Sequence, residues 1–261
     1  MILINFDDLV KGFKALGIKK GDILLVHSSF KSFGGVEGGP ETVINALLHV
    51  LGIEGTLLFP TFTFQFCDDF NSNGEGYFDV DQTPSEMGIL TEIFRKMPGV
   101  KRSINPIYSV AVYGKFADEL SSVSDKSVFG KESIFGKLYQ KNGKIMIIGL
   151  SYDHSWTFSH YIEQKEGVDY RYPKDFSGWI VTGGKSHWDT FTMLVRDIEK
   201  GVVTHVEPMG EVLERRGVVK VGKIGESIVK VMKTQDAYKI TSQEMKKNPM
   251  LMYRIETASD T

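Results

Sequence analysis

Gly21-Asp22-Ile23-Leu24-Leu25-Val26-His27-Ser28-Ser29 is the stretch that decides the fold. Ile23 to Val26 is a short unbroken apolar run, the pattern of a strand buried on both faces. It stops at a polar His-Ser-Ser. The glycine-rich turn Gly34-Gly35-Val36-Glu37-Gly38-Gly39-Pro40 follows, and Glu41 to Leu51 then carries Val43, Ala46, Leu47, Val50 and Leu51 at helical spacing. Gly52 and Gly55 close that helix, and Thr56-Leu57-Leu58-Phe59 reads as a second strand. Upstream, Phe6, Leu9, Val10, Phe13 and Leu16 mark a helix over 6–16 that stops at Gly17. The order helix, strand, loop, helix, strand is a βαβ unit, which implies a parallel pair with a right-handed crossover.

The polar stretch from Gln65 to Pro84 reads as a long surface loop, and Pro84 to Lys96 as a helix. Strands are expected at 109–113 and 144–150, a helix at 156–166, and a strand at 186–195. Helices are expected at 206–217 and 223–233. Internal repeats, low-complexity tracts and convincing linkers are missing. The expected architecture is therefore one α/β domain over 1–261. It has a mostly parallel central sheet flanked by helices and a β-containing C-terminal part.

The 261 residues include 41% hydrophobic and 25% charged side chains, ordinary for a globular protein. With 31 basic and 33 acidic residues the net charge is -2, which gives no electrostatic case for nucleic acid. Apolar runs such as 23–26 and 145–150 fall far short of the ~20 residues that span a bilayer. The first residues meet Asp7 and Asp8 without a basic segment, unlike a signal peptide. Cys67 is the one cysteine, so no internal disulfide forms and a cytoplasmic location is expected. The scattered His49, His154, His187 and His205 have no zinc spacing, and no metal is expected.

Four constellations offer chemistry. His160-Tyr161-Ile162-Glu163 places an imidazole and a carboxylate on one helix face. A His so held can take a proton from an amine that attacks an electrophile. On spacing alone a solvated helical pair is the simpler account, although Trp156, Phe158 and Tyr161 argue for burial. His27, Ser28 and Ser29, with Gly34, Gly35 and Val36, stand at the carboxyl end of a parallel strand, where open α/β sheets bind ligands. A plain strand-to-helix turn explains them equally well. Arg102-Ser103, before the turn at Asn105-Pro106 and Ser109, offers a cation for phosphate or merely a capped loop. Phe129-Gly130-Lys131-Glu132-Ser133-Ile134-Phe135-Gly136-Lys137 is either a loop over an extended ligand or a surface turn. Cys67 reads as a small apolar filler.

In combination these segments resemble the aminoglycoside 3-N-acetyltransferase family. The resemblance runs through residues 21–29 and 36–43, Gly-Thr-Leu-Leu-Phe-Pro-Thr-Phe-Thr at 55–63, and Phe78-Asp79. It continues with Thr-Pro-Ser-Glu-Met-Gly at 83–88, Arg-Ser-Ile-Asn-Pro-Ile-Tyr-Ser at 102–109, and Thr-Phe-Ser-His-Tyr-Ile-Glu at 157–163. The segments stay in order over nearly the whole chain. The resemblance implies an α/β fold distinct from the GNAT fold and acetyl-CoA as donor. It implies His160 as general base with Glu163 as its partner. His27–Ser29, Gly34–Val36, Arg102, Ser103, Ser109, Phe129, Ser133 and Phe135 would then lie near coenzyme A.

Asn105 and Tyr108 stand where relatives often carry histidine, and the segment 204–208 lacks the acidic insertion common among them. Carboxylates for a cationic acceptor would come from Asp68 and Asp79, with Asp69 and Asp81 nearby and Tyr108 beside them. The expected activity is direct acetylation of an amino group on an aminoglycoside or another amino sugar, without an acyl-enzyme. An amino sugar for a surface polysaccharide is the alternative acceptor, and a coenzyme A-binding protein without turnover the alternative class. Association as a homodimer is left open.

Overall fold

A computed structural model describes residues 3–67, 76–123 and 125–256. The chain begins with α1 (Phe6–Ala15), β1 (Ile23–Ser28), α2 (Pro40–Leu51) and β2 (Thr56–Pro60). It continues through β3 (Gly76–Asp79), α3 (Ile89–Arg95), β4 (Lys101–Arg102), β5 (Val110–Gly114), α4 (Ala117–Ser121) and α5 (Ile134–Gln140). Then come β6 (Lys144–Ile148), α6 (Phe158–Glu166), β7 (Arg171–Thr182), β8 (Lys185–Arg196) and β9 (Val202–Thr204). The chain ends with α7 (Glu207–Arg215), β10 (Lys220–Ile224), β11 (Ser227–Lys233), α8 (Thr234–Lys247) and β12 (Tyr253–Ile255).

The central sheet has seven strands in the order β10-β11-β6-β1-β2-β5-β4. β1 pairs parallel with β2 and β6, at the heart of the sheet. β11 and β5 run against the other five strands, so the sheet is mostly of one sense. The anticipated β1–α2–β2 unit is present. β1 is buried on both faces, as its unbroken apolar run requires. Leu24 and Val26 join the cluster under α1 and α2, while Ile23 and Leu25 join the cluster under α5 and α6. By the same alternation His27 falls on the α6 side.

Three expectations change. The helix read over 223–233 is the antiparallel hairpin β10–β11. Ile224, Ile228 and Val231 fit a helical period, but the true period is two, with Ser227, Val229 and Val231 buried and Ile228 exposed. Gly225, at φ 57°, makes the turn. The stretch 65–84 is not all loop, because β3 pairs parallel with β7. Third, the helix at 84–96 starts only at Ile89, after Gly88 at φ 104°. Ser85 N–H donates to the Glu92 carboxylate across that start at 2.9 Å. The strand at 186–195 is present as β8, and its partner β7, not anticipated, pairs with it over its full length. Together with β3 they form a separate three-stranded sheet beside the central one. No helix is long and apolar enough to cross a membrane among the described residues.

The loops after β1, β2 and β6 converge at one edge of the sheet. α7 closes that edge by pressing Gly210 on the buried ring of Tyr152. A Cβ at Gly210 would lie 2.1 Å from Tyr152 Cδ2. The ring cannot retreat, because its hydroxyl donates to Glu214 at 2.9 Å and Lys230 lies 3.9 Å over its face. Gly210→Ala should therefore destabilise the protein by about 1–3 kcal/mol of overpacking, although alanine is the better helix former by ~1 kcal/mol. A thermal melt should show a lower Tm; an unchanged or higher Tm would sink this account of the α7 contact.

Candidate active site

α6 begins after Trp156-Thr157 and ends at Gly167, whose φ of 67° is the left-handed stop that glycine favours. The spacing of three puts His160 and Glu163 on one face, and the structure joins them: His160 Nδ1 stands 2.6 Å from Glu163 Oε2. This is not a solvated pair. The Glu163 side chain is 0% exposed and that of His160 is 16% exposed. Burying a carboxylate requires compensation. Arg171 Nε approaches Oε2 to 2.9 Å as a close ion pair, and the Tyr170 hydroxyl donates to Oε1 at 3.0 Å. Arg171 opens β7 and Tyr170 immediately precedes it, so one carboxylate ties α6 to the second sheet. Arg171 is itself held by Thr204 at 2.7 Å.

Burial favours the neutral form of Glu163, but Arg171, then His160 and Tyr170, hold it below the usual carboxylate range. Burial first, and then Arg171, push His160 below the ordinary imidazole value, against the upward pull of Glu163. At neutral pH the pair is thus a carboxylate and a neutral imidazole. Nδ1–H donates to the carboxylate, which leaves Nε2 as the basic nitrogen.

His160 lies at a junction. A narrow cavity of about 180 Å³ runs from His27 past Phe62, Trp156 and Ser159 to His160. On the β1 side it shares His27, Met87 and His154 with an open compartment of about 480 Å³ lined by Ser28, Ser29 and Lys31. On the other side it shares Tyr108, His160 and Thr204 with a compartment of about 360 Å³ that lies along β7 and β8. Rings line the way. His27 meets Phe62 at 6.2 Å, Phe62 meets Tyr108 at 4.6 Å, Tyr108 meets Phe129 at 4.9 Å, and Phe129 meets His160 at 5.3 Å.

His27 is buried, and its burial drives the imidazole down to about 3, so it is neutral. Its Nε2 has no hydrogen-bond partner; nor do Trp156 Nε1 and Ser159 Oγ, and all three residues line the narrow cavity. Buried polar atoms without partners in a native fold point to a ligand. Sequence reading passed over Trp156 and Ser159 as such. It also passed over Tyr170 and Arg171, which lie beyond the Gly167 stop and share no helical spacing with Glu163.

The other expected site residues divide. Ser28, Ser29, Tyr108 and Phe129 line the cavities. Gly34, Gly35 and Val36 do not; Gly35 and Val36 pair with Ile4 instead. Arg102 donates to Thr61, Thr83 and Ser109 and stacks on Phe78 at 4.7 Å, so its guanidinium ties the end of β2 to β3 and the turn after it. Ser103 accepts from Val110 N–H, and the Ser109 hydroxyl donates to Thr61 O. Ser133 caps α5, and Phe135 is buried behind Phe129. Asp79 accepts the N–H groups of Asp81 and Gln82 in its own turn. Asp68 lies outside the described residues. Cys67 lines the compartment along β7 and β8. Among the described residues, no group of three or more His, Cys, Asp or Glu is placed to hold a metal.

Comparison with known proteins gives the same family as the motifs. Residues 25–246 match the family model of aminoglycoside 3-N-acetyltransferases. The SPbeta prophage-derived aminoglycoside N(3')-acetyltransferase-like protein YokD of Bacillus subtilis is 29% identical, over 88% of each chain. Its crystal structure superposes with a TM-score of 0.82 over 95% of this chain and 96% of that one, at 27% identity. Aminoglycoside N(3)-acetyltransferase III of Pseudomonas aeruginosa is 29% identical over 74% of each chain. A structure of AAC-IIIb with CoASH, 21% identical over 94% of this chain and 97% of that one, shares the fold with a TM-score of 0.81. The chain that places a buried His160–Glu163 pair where two cavities meet belongs to the aminoglycoside 3-N-acetyltransferase family of acyltransferases.

Proposed function

We propose that this protein transfers the acetyl group of acetyl-CoA directly to an amino group of an amino sugar, with His160 as general base and Glu163 as its orienting carboxylate. The observation that carries the reading is the 2.6 Å contact between His160 Nδ1 and a fully buried Glu163, at a junction reached by compartments from two sides. Two compartments that meet at one base suit a reaction in which donor and acceptor are present together.

In this reading acetyl-CoA enters over Ser28 and Ser29 and sends its thioester through the narrow cavity. The amine nitrogen attacks the thioester carbonyl while His160 Nε2 accepts its proton. A C–N bond forms, and the carbonyl electrons move to oxygen. His27 Nε2, Trp156 Nε1 and Ser159 Oγ are the donors we assign to that oxygen. The intermediate then collapses, the C–S bond breaks, and the imidazolium returns its proton to the departing thiolate. Glu163 stabilises the imidazolium between these steps. The relatives' printed names, an aminoglycoside N(3')-acetyltransferase-like protein and an aminoglycoside N(3)-acetyltransferase, support acetyl transfer, and the AAC-IIIb structure with CoASH supports the donor. A neutral His160 at rest is the protonation state that the first step needs.

His160→Ala should lower kcat by ~100-fold or more, the scale of a lost general base, and leave stabilisation by coenzyme A largely intact. Full turnover in that variant would remove His160 from the role. Cys67→Ser should keep wild-type turnover, since no acyl-enzyme is formed; loss of activity, or an acyl group found on Cys67 by mass spectrometry, would refute direct transfer. An NMR titration of the His160 imidazole should also show its shift, free of the acceptor amine's own ionisation. Its pKa is lowered, so the ring stays neutral to more acid pH than an ordinary histidine. A His160 that titrates above the ordinary imidazole value would contradict the assigned environment.

A further inference from the structure

The compartment along β7 and β8 has a charge that a polycationic acceptor would not choose. Its described lining includes Arg171, Lys174 and Arg196 and no aspartate or glutamate. Arg171 is matched by Glu163. Lys174 and Arg196 are exposed, and neither meets a carboxylate among the described residues. Two cations next to these strands are neutralised: Lys126 pairs with Asp189 of β8, and Lys200 with Asp197 just after it. The two unmatched cations thus stand beside the base. The one acid of the 204–208 segment does not offset them, because Glu207 accepts Tyr152 N–H at 2.7 Å and holds that turn.

We propose that the acceptor is an amine that also carries an anionic group, a carboxylate or a phosphate, which Lys174 and Arg196 receive in this compartment. The inference rests on the acetyl-transfer reading above and adds the acceptor's charge class. An anion in the compartment meets net positive charge, Lys174 from one face of the β7–β8 ribbon and Arg196 from the other, whereas each further ammonium group of a polycation meets like charge. The same positive surroundings favour the unprotonated form of the acceptor's amino group, the form that attacks. The donor's phosphates have a separate place in this reading, on the β1 side, where Lys31 lines the open compartment.

The test compares glucosamine 6-phosphate, glucosaminic acid, glucosamine and the polyamine sisomicin as acceptors for the whole protein. The first two distinguish phosphate from carboxylate. At low salt, kcat/KM for at least one anionic amine should exceed those for glucosamine and sisomicin by about tenfold or more, and the gap should narrow at high salt. In Lys174→Ala/Arg196→Ala the ratio of kcat/KM for that amine over glucosamine should fall about tenfold, chiefly through KM. A preference for sisomicin overturns the proposal. So does an unchanged ratio in the double variant, or a rise confined to the KM of acetyl-CoA, which would give the cations to the coenzyme. Acetyl transfer to sisomicin alone would sink the charge class while keeping the acetyltransferase. If no amine is acetylated, equilibrium binding of the same compounds to the coenzyme A complex decides the charge class without turnover.

Discussion

A carboxylate that water cannot reach organises this site. Glu163 sits on a buried face of α6, and its charge persists only because Arg171, Tyr170 and His160 surround it. Removing any one partner leaves a buried charge short of compensation, which in proteins costs several kcal/mol. The constraint is therefore mutual. It holds His160 in place and seats the start of β7 against α6. Arg171 also lines the compartment along β7 and β8.

The same cluster sets the proton chemistry. Desolvation and the guanidinium depress His160, and the carboxylate moderates that effect while choosing the tautomer. His27, at the other end of the narrow cavity, has burial without a carboxylate and is more strongly depressed. Two neutral imidazoles thus face one passage for different reasons. One has a partner that can stabilise the imidazolium, and it is the one suited to a base. The other suits a donor or a wall. Tyr108 lies between, its phenol kept protonated by burial, and packs on Phe62 and Phe129.

Much of this frame was legible in the residues. The run at 23–26, the helix at 41–51 and the strand at 56–59 have periods that admit one reading each, and the parallel pair followed. The hairpin at 220–233 differs from the expected helix because Ile224, Ile228 and Val231 fit a helical period although Ile228 is exposed on the strand. Only the neighbours in space, Ile147 and Met146 across from Lys230 and Val231, select the strand. β7 escaped notice because its edges are polar and its Pro173 discourages a strand reading. Arg102 admitted two readings, a cation for phosphate or a capped loop, because an arginine near serines is ambiguous until the partners of its donors are seen.

The sequence by itself determined the alternation of strand and helix, the family to which the chain belongs, and the pairing of His160 with Glu163. Each is a matter of local period or of motifs in order. The tertiary structure alone decided that this pair is buried, that Arg171 completes it, and that His27, Trp156 and Ser159 face one passage with polar atoms unmet. It alone decided, too, that Lys174 and Arg196, without a carboxylate partner among the described residues, line the compartment that His160 lines. The physical reason is common to all of these: desolvation and charge balance depend on what surrounds a group in space, and those surroundings come from segments far apart in the chain.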